Sequence, residues 1–225
     1  MDKMKALIAR RKLFDKAFSV IGLLALTIGL VTLTALILDL AADGLPRLSW
    51  DFFTSFPSRF ASKAGILSAW VGTTLVMLVT AATAVPLGIA AGLYLEEYAP
   101  KNWMTALIEI NIANLAAVPS IVYGLMAIGL FVYTFNLGQS ILTAGLTLAL
   151  LILPMVIIAT RESVRAIPGN IREAAYALGA TRWQTVRDHV LPYSTGGILT
   201  GVIIALSPAI GESAPLIAIG ALSFI

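Results

Sequence analysis

Apolar residues along this chain come in long unbroken blocks, without the alternation of a strand or the narrow stripe of a soluble helix. Residues 17–38, 66–95, 110–160 and 190–211 carry no charged side chain, in runs of 22, 30, 51 and 22 residues. A helix that crosses a bilayer needs about 20 apolar residues at a rise of about 1.5 Å each. The longest run therefore holds two helices, turned around Asn136-Leu137-Gly138-Gln139. Five spans are predicted, near 17–40, 68–95, 113–135, 140–160 and 195–217. The N-terminal block is basic and then apolar, as a signal peptide is. Its apolar part is too long for one and no small-x-small site closes it, so it is read as span 1. The expected fold is an all-α polytopic membrane bundle, with a basic N-terminus at 1–16 and one transmembrane domain at 17–225.

The polar interruptions have their own patterns. Residues 161–192 read as two short helices joined at Gly179. Asn170 with Glu173, and Thr181 with Gln184, have capping-box spacing. Gly179 suits the left-handed end of the first helix, and Pro192 is expected to stop the second. The segment is longer than a connector needs. It reads as a surface for a soluble partner, the alternative being an ordinary polar loop.

Pro100 to Asn114 predicts an in-plane helix with Trp103, Leu107 and Ile110 on one face and Glu109 turned away, leading into span 3 through Pro119-Ser120. Between spans 1 and 2, Trp50, Phe52, Phe53, Phe56 and Phe60 cluster as interfacial anchors or as a contact for an outer partner. Gly72, Gly88 and Gly92 in span 2 are read as packing positions, because small residues let membrane helices approach closely.

Composition agrees with the blocks. The chain is 59% hydrophobic and 12% charged, where soluble domains carry about 25% charged residues. Its net charge of +3 is distributed by membrane side. Lys3, Lys5, Arg10, Arg11, Lys12, Lys16, Lys101, Arg161, Arg165, Arg172, Arg182 and Arg187 fall on the side of the N-terminus, against Arg47, Arg59 and Lys63 on the other. By the positive-inside rule the N-terminus is cytoplasmic, and the basic balance points to topology and not to nucleic acid. There is no cysteine, hence no disulfide or thiolate site. The single histidine, His189, has no second ligand or nucleophile at a useful spacing, and no GxxxxGK[ST] loop is present for ATP.

One ionisable residue falls inside the predicted membrane. Glu212 stands about 25 Å along span 5 at helical rise, in Ser207-Pro208-Ala209-Ile210-Gly211-Glu212-Ser213-Ala214-Pro215, which cannot form an unbroken helix. A carboxylate at depth faces a bundle interior or a wet path. Three roles are open for it: a pathway or gate, a structural hydrogen bond to a neighbouring helix, or exit into outer water.

Glu173-Ala174-Ala175, Gly179 and Leu191-Pro192 resemble the EAA loop of ABC-importer permeases, with His189 at a position where that family places Ile. Gly65-Ile66 with Gly72-Thr73, Val85-Pro86-Leu87-Gly88-Ile89, Tyr94-Leu95-Glu96-Glu97-Tyr98, Pro119 to Leu125 and Gly211 to Leu216 are similar to the phosphate-import permeases, the A subunit more than its C partner. The resemblance implies a type I importer fold in a bacterial inner membrane. It implies an ABC ATPase dimer, a second permease subunit and a periplasmic phosphate-binding protein as partners, besides lipid. ATP and Mg would be bound by the ATPase, leaving no cofactor in this chain.

The resemblance also assigns residues. Arg172, Glu173, Ala174, Ala175, Gly179 and Arg182 would lie in the ATPase-coupling helices, with Glu173 capping its helix and meeting a basic residue of the ATPase. Gly211, Glu212 and Ser213 would lie on the translocation pathway. Two departures stand out. Pro208 occupies the place of an arginine that the family sets before this Glu, and the family continues to a sixth helix where this sequence stops at Phe224-Ile225, which as written would put its C-terminus on the outer side. Readings that compete with phosphate import are a permease for phosphonate, molybdate or sulfate, a non-transporting anchor of a soluble ATPase, and a membrane-embedded enzyme.

Overall fold

Lipid offers no partner for backbone N–H and C=O groups, so long apolar segments must satisfy them internally. This chain does so with helices, and no strand occurs among the described residues. The computed structural model describes residues 2–60 and 63–220, with side chains from Arg10 onward. The expected outer C-terminus at Phe224-Ile225 falls outside the described residues. By its contacts the chain divides into two units, residues 1–67 and 68–225.

In the first unit, α1 (Asp2–Gly44) is one helix of 43 residues that carries the basic head and span 1 without a break. Its large apolar side chains are exposed, Phe18 at 79% and Leu26 at 64%, as befits a helix whose solvent is lipid. A 3₁₀ turn (Leu45–Arg47) and α2 (Trp50–Thr54) follow. Ile66 then donates to the Phe52 carbonyl and Leu67 to that of Ser55. These bonds are all local, which is why the segment closes on itself. Trp50 and Phe56 are 80% and 69% exposed.

The second unit is built on α6 (Ile141–Arg165), which has more buried positions than any other described helix. α3 (Leu67–Leu93) ends in a π turn, Tyr94–Tyr98. α9 (Leu191–Gly211) completes a core of Ala84 from α3, Ala149, Ile152 and Val156 from α6, and Ile198, Val202, Ala205 and Ala209 from α9. The seam relies on small residues: a Cβ at Gly88 would lie 2.6 Å from Val156, and one at Gly92 2.7 Å from Thr160. Gly72, grouped with them on sequence, meets nothing within 4 Å and packs against no neighbour. Thr80 adds an interhelical bond of 3.1 Å to the Gly145 carbonyl.

Span 3 differs from its expected form. α4 (Trp103–Ala116) and α5 (Ser120–Ala127, continued by a π turn to Thr134) meet at a 100° bend. The span expected near 113–135 is thus broken just before Ser120, where Pro119 cannot continue α4. Asn102 caps α4 by accepting from the Thr105 N–H. Glu109 is not turned away: its carboxylate meets Arg161 of α6 at 2.7 Å, drawn there by the opposite charge. Asn136 and Gly138 take positive φ in the predicted turn, and Ser140 caps α6. Among the described residues four helices are long and apolar enough to cross a membrane, or five where the bent pair counts as one span.

Candidate functional site

The segment between α6 and α9 is shaped by one proline and one glycine. Pro168 precedes α7 (Gly169–Ala177) with its φ at −57°, so the helix starts there and Asn170 is already inside it. The capping box expected of Asn170 and Glu173 is therefore absent, and the exposed Glu173 does not cap. At the other end Gly179 has φ +83°. Its N–H donates to the Tyr176 carbonyl at 2.9 Å and that of Ala180 to Ala175 at 3.1 Å. These two bonds are a Schellman motif, which needs a left-handed residue at this position.

The second helix begins as predicted. The Thr181 hydroxyl accepts from the Gln184 N–H, and the Gln184 side chain accepts from the Thr181 N–H. It does not end at Pro192. α8 (Arg182–Thr185), a π turn (Val186–Val190) and α9 run on as one helix to Gly211. A proline inside a helix lacks a donor and crowds the carbonyl a turn before it. Here the wider π turn directly precedes Pro192 and breaks the ordinary bonding register at that point.

Two faces of this segment differ in chemistry. Outward, Glu173 and Ala174 are exposed beside large apolar groups: Leu178 at 90%, Trp183 at 62% and Tyr176 at 44%. Inward, Ala175 is buried at 4%, and Arg172 is committed to its own chain. The Arg172 guanidinium donates to Glu97 Oε1 from Nε at 3.0 Å and Nη2 at 2.6 Å, and to the carbonyls of Ile167 and Val164 at 3.0 Å each. Arg182 lies over the Tyr98 ring at 5.5 Å. The other acid of the π turn, Glu96, takes Arg165 at 3.0 Å and Arg161 at 3.5 Å. Of the predicted coupling residues, then, Glu173, Ala174 and Gly179 face outward, while Ala175 and Arg172 hold the segment to the bundle.

The predicted pathway residues form a second locus. α9 ends at Gly211, Glu212 is extended, and α10 (Ala214–Ala218) restarts after Ser213. Pro208 lies within the last turn of α9. The half-buried Glu212 carboxylate accepts a 2.9 Å bond from the Ser120 hydroxyl at the start of α5. Gly124, one turn on, approaches α10 so closely that a Cβ there would lie 2.7 Å from Pro215. This end of α9 is remote from the coupling segment, about 30 Å away along 21 residues of helix.

Sequence reasoning passed over Glu96, Glu97, Arg161, Arg165 and Ser120 as site residues. Two adjacent acids closing an apolar span were the available signal, since such charges need partners. Leu178 and Trp183 were signalled too, as large apolar side chains flanking the glycine of a polar segment.

Residues 84–224 match the family of binding-protein-dependent transport system inner membrane components. The chain is 33% identical to a probable ABC transporter permease protein, YqgI, of Bacillus subtilis over 208 residues, 92% of this chain and 70% of that protein. It is 33% identical to the phosphate transport system permease protein PstA of Xylella fastidiosa, over 92% of this chain and 72% of the relative. PstA of Yersinia pestis is 32% identical over 96% of the chain and 74% of its own length.

Proposed function

This chain belongs to the binding-protein-dependent transport system inner membrane components, and we propose that it is the permease subunit of an ATP-driven importer of inorganic phosphate. Phosphate transport system permeases of two bacteria match most of the chain. The observation that carries the mechanism is the outward face of residues 173–183. Leu178, at 90% exposure, and Trp183 project from a rigid helix–glycine–helix turn whose inner face is tied to the bundle. An apolar patch rimmed by charge marks a protein contact, and this one fits a soluble ATPase dimer.

In this reading the N-terminus and the coupling segment are cytoplasmic, in line with the charge asymmetry. ATP binding closes the ATPase dimer and shifts the coupling helices. α6 and α9, which flank them in sequence, rock with them and open the pathway to the periplasm, where a phosphate-binding protein delivers its cargo. Hydrolysis returns the pathway inward. A second permease subunit completes the pathway, and ATP and Mg are held by the ATPase.

Glu212 marks the pathway at the outer break of α9. Pro208 offers no positive charge there, so the carboxylate would interact with phosphate through a protonated phosphate oxygen, or with a cation from the sister subunit. Uptake of radiolabelled phosphate by the reconstituted complex, in competition with phosphonate, molybdate and sulfate, tests the assignment. Phosphate is expected to compete best, and preference for another oxyanion would reassign the cargo. Loss of flux with ATP hydrolysis intact in the unmodified complex would favour the non-transporting anchor.

A further inference from the structure

Three elements, one of them 75 residues away in sequence, converge on one guanidinium. Arg172 belongs to α7, its partner Glu97 to the π turn that ends α3, and the carbonyls of Val164 and Ile167 to the end of α6 and the residues just after it. The Glu97 side chain is 6% exposed and that of Arg172 20%. An acid so deeply placed is tolerated only with a partner and further hydrogen bonds, and the forked geometry of arginine supplies several at once. Below this contact Val164, Ile167 and Val190 pack together with Leu93 and Ile171. The ion pair thus caps a small apolar cluster that joins the ends of α3 and α6, the base of α9 and the start of α7.

The neighbouring contacts repeat the pattern. Glu96 faces α6 through Arg161 and Arg165, while Glu97 faces α7. The wide π turn sets these successive acids toward two different helices. Tyr98, the last residue of that turn, lies under the Arg182 guanidinium from the far side of Gly179. Both halves of the helix–glycine–helix unit are therefore fastened to the end of α3, one by an ion pair and one by a cation–π contact. Two polar atoms of this region, Tyr98 Oη and Arg161 Nε, are buried without a hydrogen-bond partner.

We propose that Glu97 and Arg172 are positioning residues that transmit movement of the coupling segment to α3. α7 is covalently continuous with α6, and the ion pair fastens α7 itself to the end of α3, in addition to the packing of α3 on α6. This rests on the reading of residues 161–192 as the ATPase-coupling segment. Without the pair, α7 still docks and still follows the ATPase, while α3 lags. The role is one of transmission, and neither residue touches the cargo.

The test uses the full complex, co-purified with its ATPase, sister permease and binding protein and reconstituted in proteoliposomes. Glu97→Gln and Arg172→Gln are expected to retain the ATPase and its hydrolysis rate while radiolabelled phosphate uptake falls about tenfold, the scale of a typical coupling free energy. Arg172→Lys keeps the charge without the fork and is expected to give intermediate uptake. The Gln/Gln double variant should be no worse than the poorer single, because no buried charge is left unpaired in it. Unchanged uptake in the single variants would overturn the proposal. So would a parallel fall of hydrolysis and uptake, or loss of assembly, either of which makes the pair a brace of the fold. Failure of the unmodified chain to retain an ATPase would instead overturn the coupling-segment reading on which the proposal rests.

Discussion

Ser120 donates a 2.9 Å hydrogen bond to the Glu212 carboxylate, and the bond joins two helix breaks. Ser120 opens α5 after the 100° bend from α4, and Glu212 is the extended residue at which α9 stops. Backbone that leaves the helix at membrane depth is tolerated where protein or a water path surrounds it. One side-chain bond thus ties the two breaks together, beside the close approach of Gly124 to Pro215.

The first prediction separates the bond from the charge at this joint. Glu212→Gln keeps an acceptor oxygen for Ser120 and removes the charge, while Ser120→Ala removes the donor and keeps the carboxylate. A side-chain bond between membrane helices is worth roughly 1 kcal/mol, a factor of about 5 in an equilibrium. Ser120→Ala is expected to raise ATP hydrolysis several-fold in the absence of the binding protein, because the joint opens unprompted. Glu212→Gln is expected to leave that rate low and to reduce phosphate uptake. Hydrolysis assays with and without binding protein, run beside uptake, check both. Identical behaviour of the two variants would show that the bond is not a gate.

The second prediction concerns Gly179. No atom lies within 4 Å of a Cβ built there, so a side chain has room, but its φ of +83° does not suit an L residue. Left-handed geometry costs about 1–2 kcal/mol for most side chains and less for Asn. Gly179→Asn should retain more coupling than Gly179→Val, and Gly179→Asp should uncouple hydrolysis from uptake while the protein still inserts in the membrane. Uptake per ATP hydrolysed is the measurement. Equal activity of the Val variant and the unmodified chain would remove the turn from the mechanism.

Much of this architecture could be read from residue order, and the errors have a common cause. Membrane span length is a local property, so the charge-free blocks placed the helices, and Asn136 with Gly138 placed the turn before α6. The Thr181–Gln184 box and the left-handed Gly179 were likewise local. Asn170 and Glu173 misled because Pro168 had already started the helix, leaving correct spacing at the wrong register. Pro192 misled because a π turn precedes it, a feature with no composition signature. Glu109 was misjudged, and the Glu97–Arg172 pair passed over, because the partners are remote in sequence. Charge alone shows that such groups need partners, and only the fold shows which.

The outward face of the coupling segment gives a third prediction. Leu178 and Trp183 are 90% and 62% exposed, so replacing them costs the isolated fold little, since such surface changes usually stay within about 0.5 kcal/mol. Buried in a partner's groove, a leucine or an aromatic contributes about 1.5–3 kcal/mol. Leu178→Asp and Trp183→Ala are expected to weaken retention of the ATPase by about tenfold or more while leaving expression and thermal stability unchanged. Glu173→Lys, at another exposed position of the segment, should act in the same direction. Co-purification at increasing salt reads the effect, and wild-type retention in all three variants would exclude this face as the docking surface.

The fourth prediction uses the glycines of α3, where one sequence pattern divides into two structural cases. A Cβ at Gly88 would stand 2.6 Å from Val156, and one at Gly92 2.7 Å from Thr160 and 2.9 Å from the Ile157 carbonyl. Val156 and Thr160 are 0% and 1% exposed, on the central helix of the bundle, and have no room to retreat. Overpacking of this kind costs about 1–3 kcal/mol. Gly88→Val and Gly92→Val should force α3 away from α6 and lower the yield of folded protein in detergent. Gly72 has open space around it, so Gly72→Ala should fold normally and gain slightly from the helix propensity of alanine, by up to about 1 kcal/mol. Thermal unfolding followed by loss of the monodisperse peak orders the three. A Gly72 variant as damaging as the other two would mean that this glycine, too, meets a neighbour in the assembled transporter.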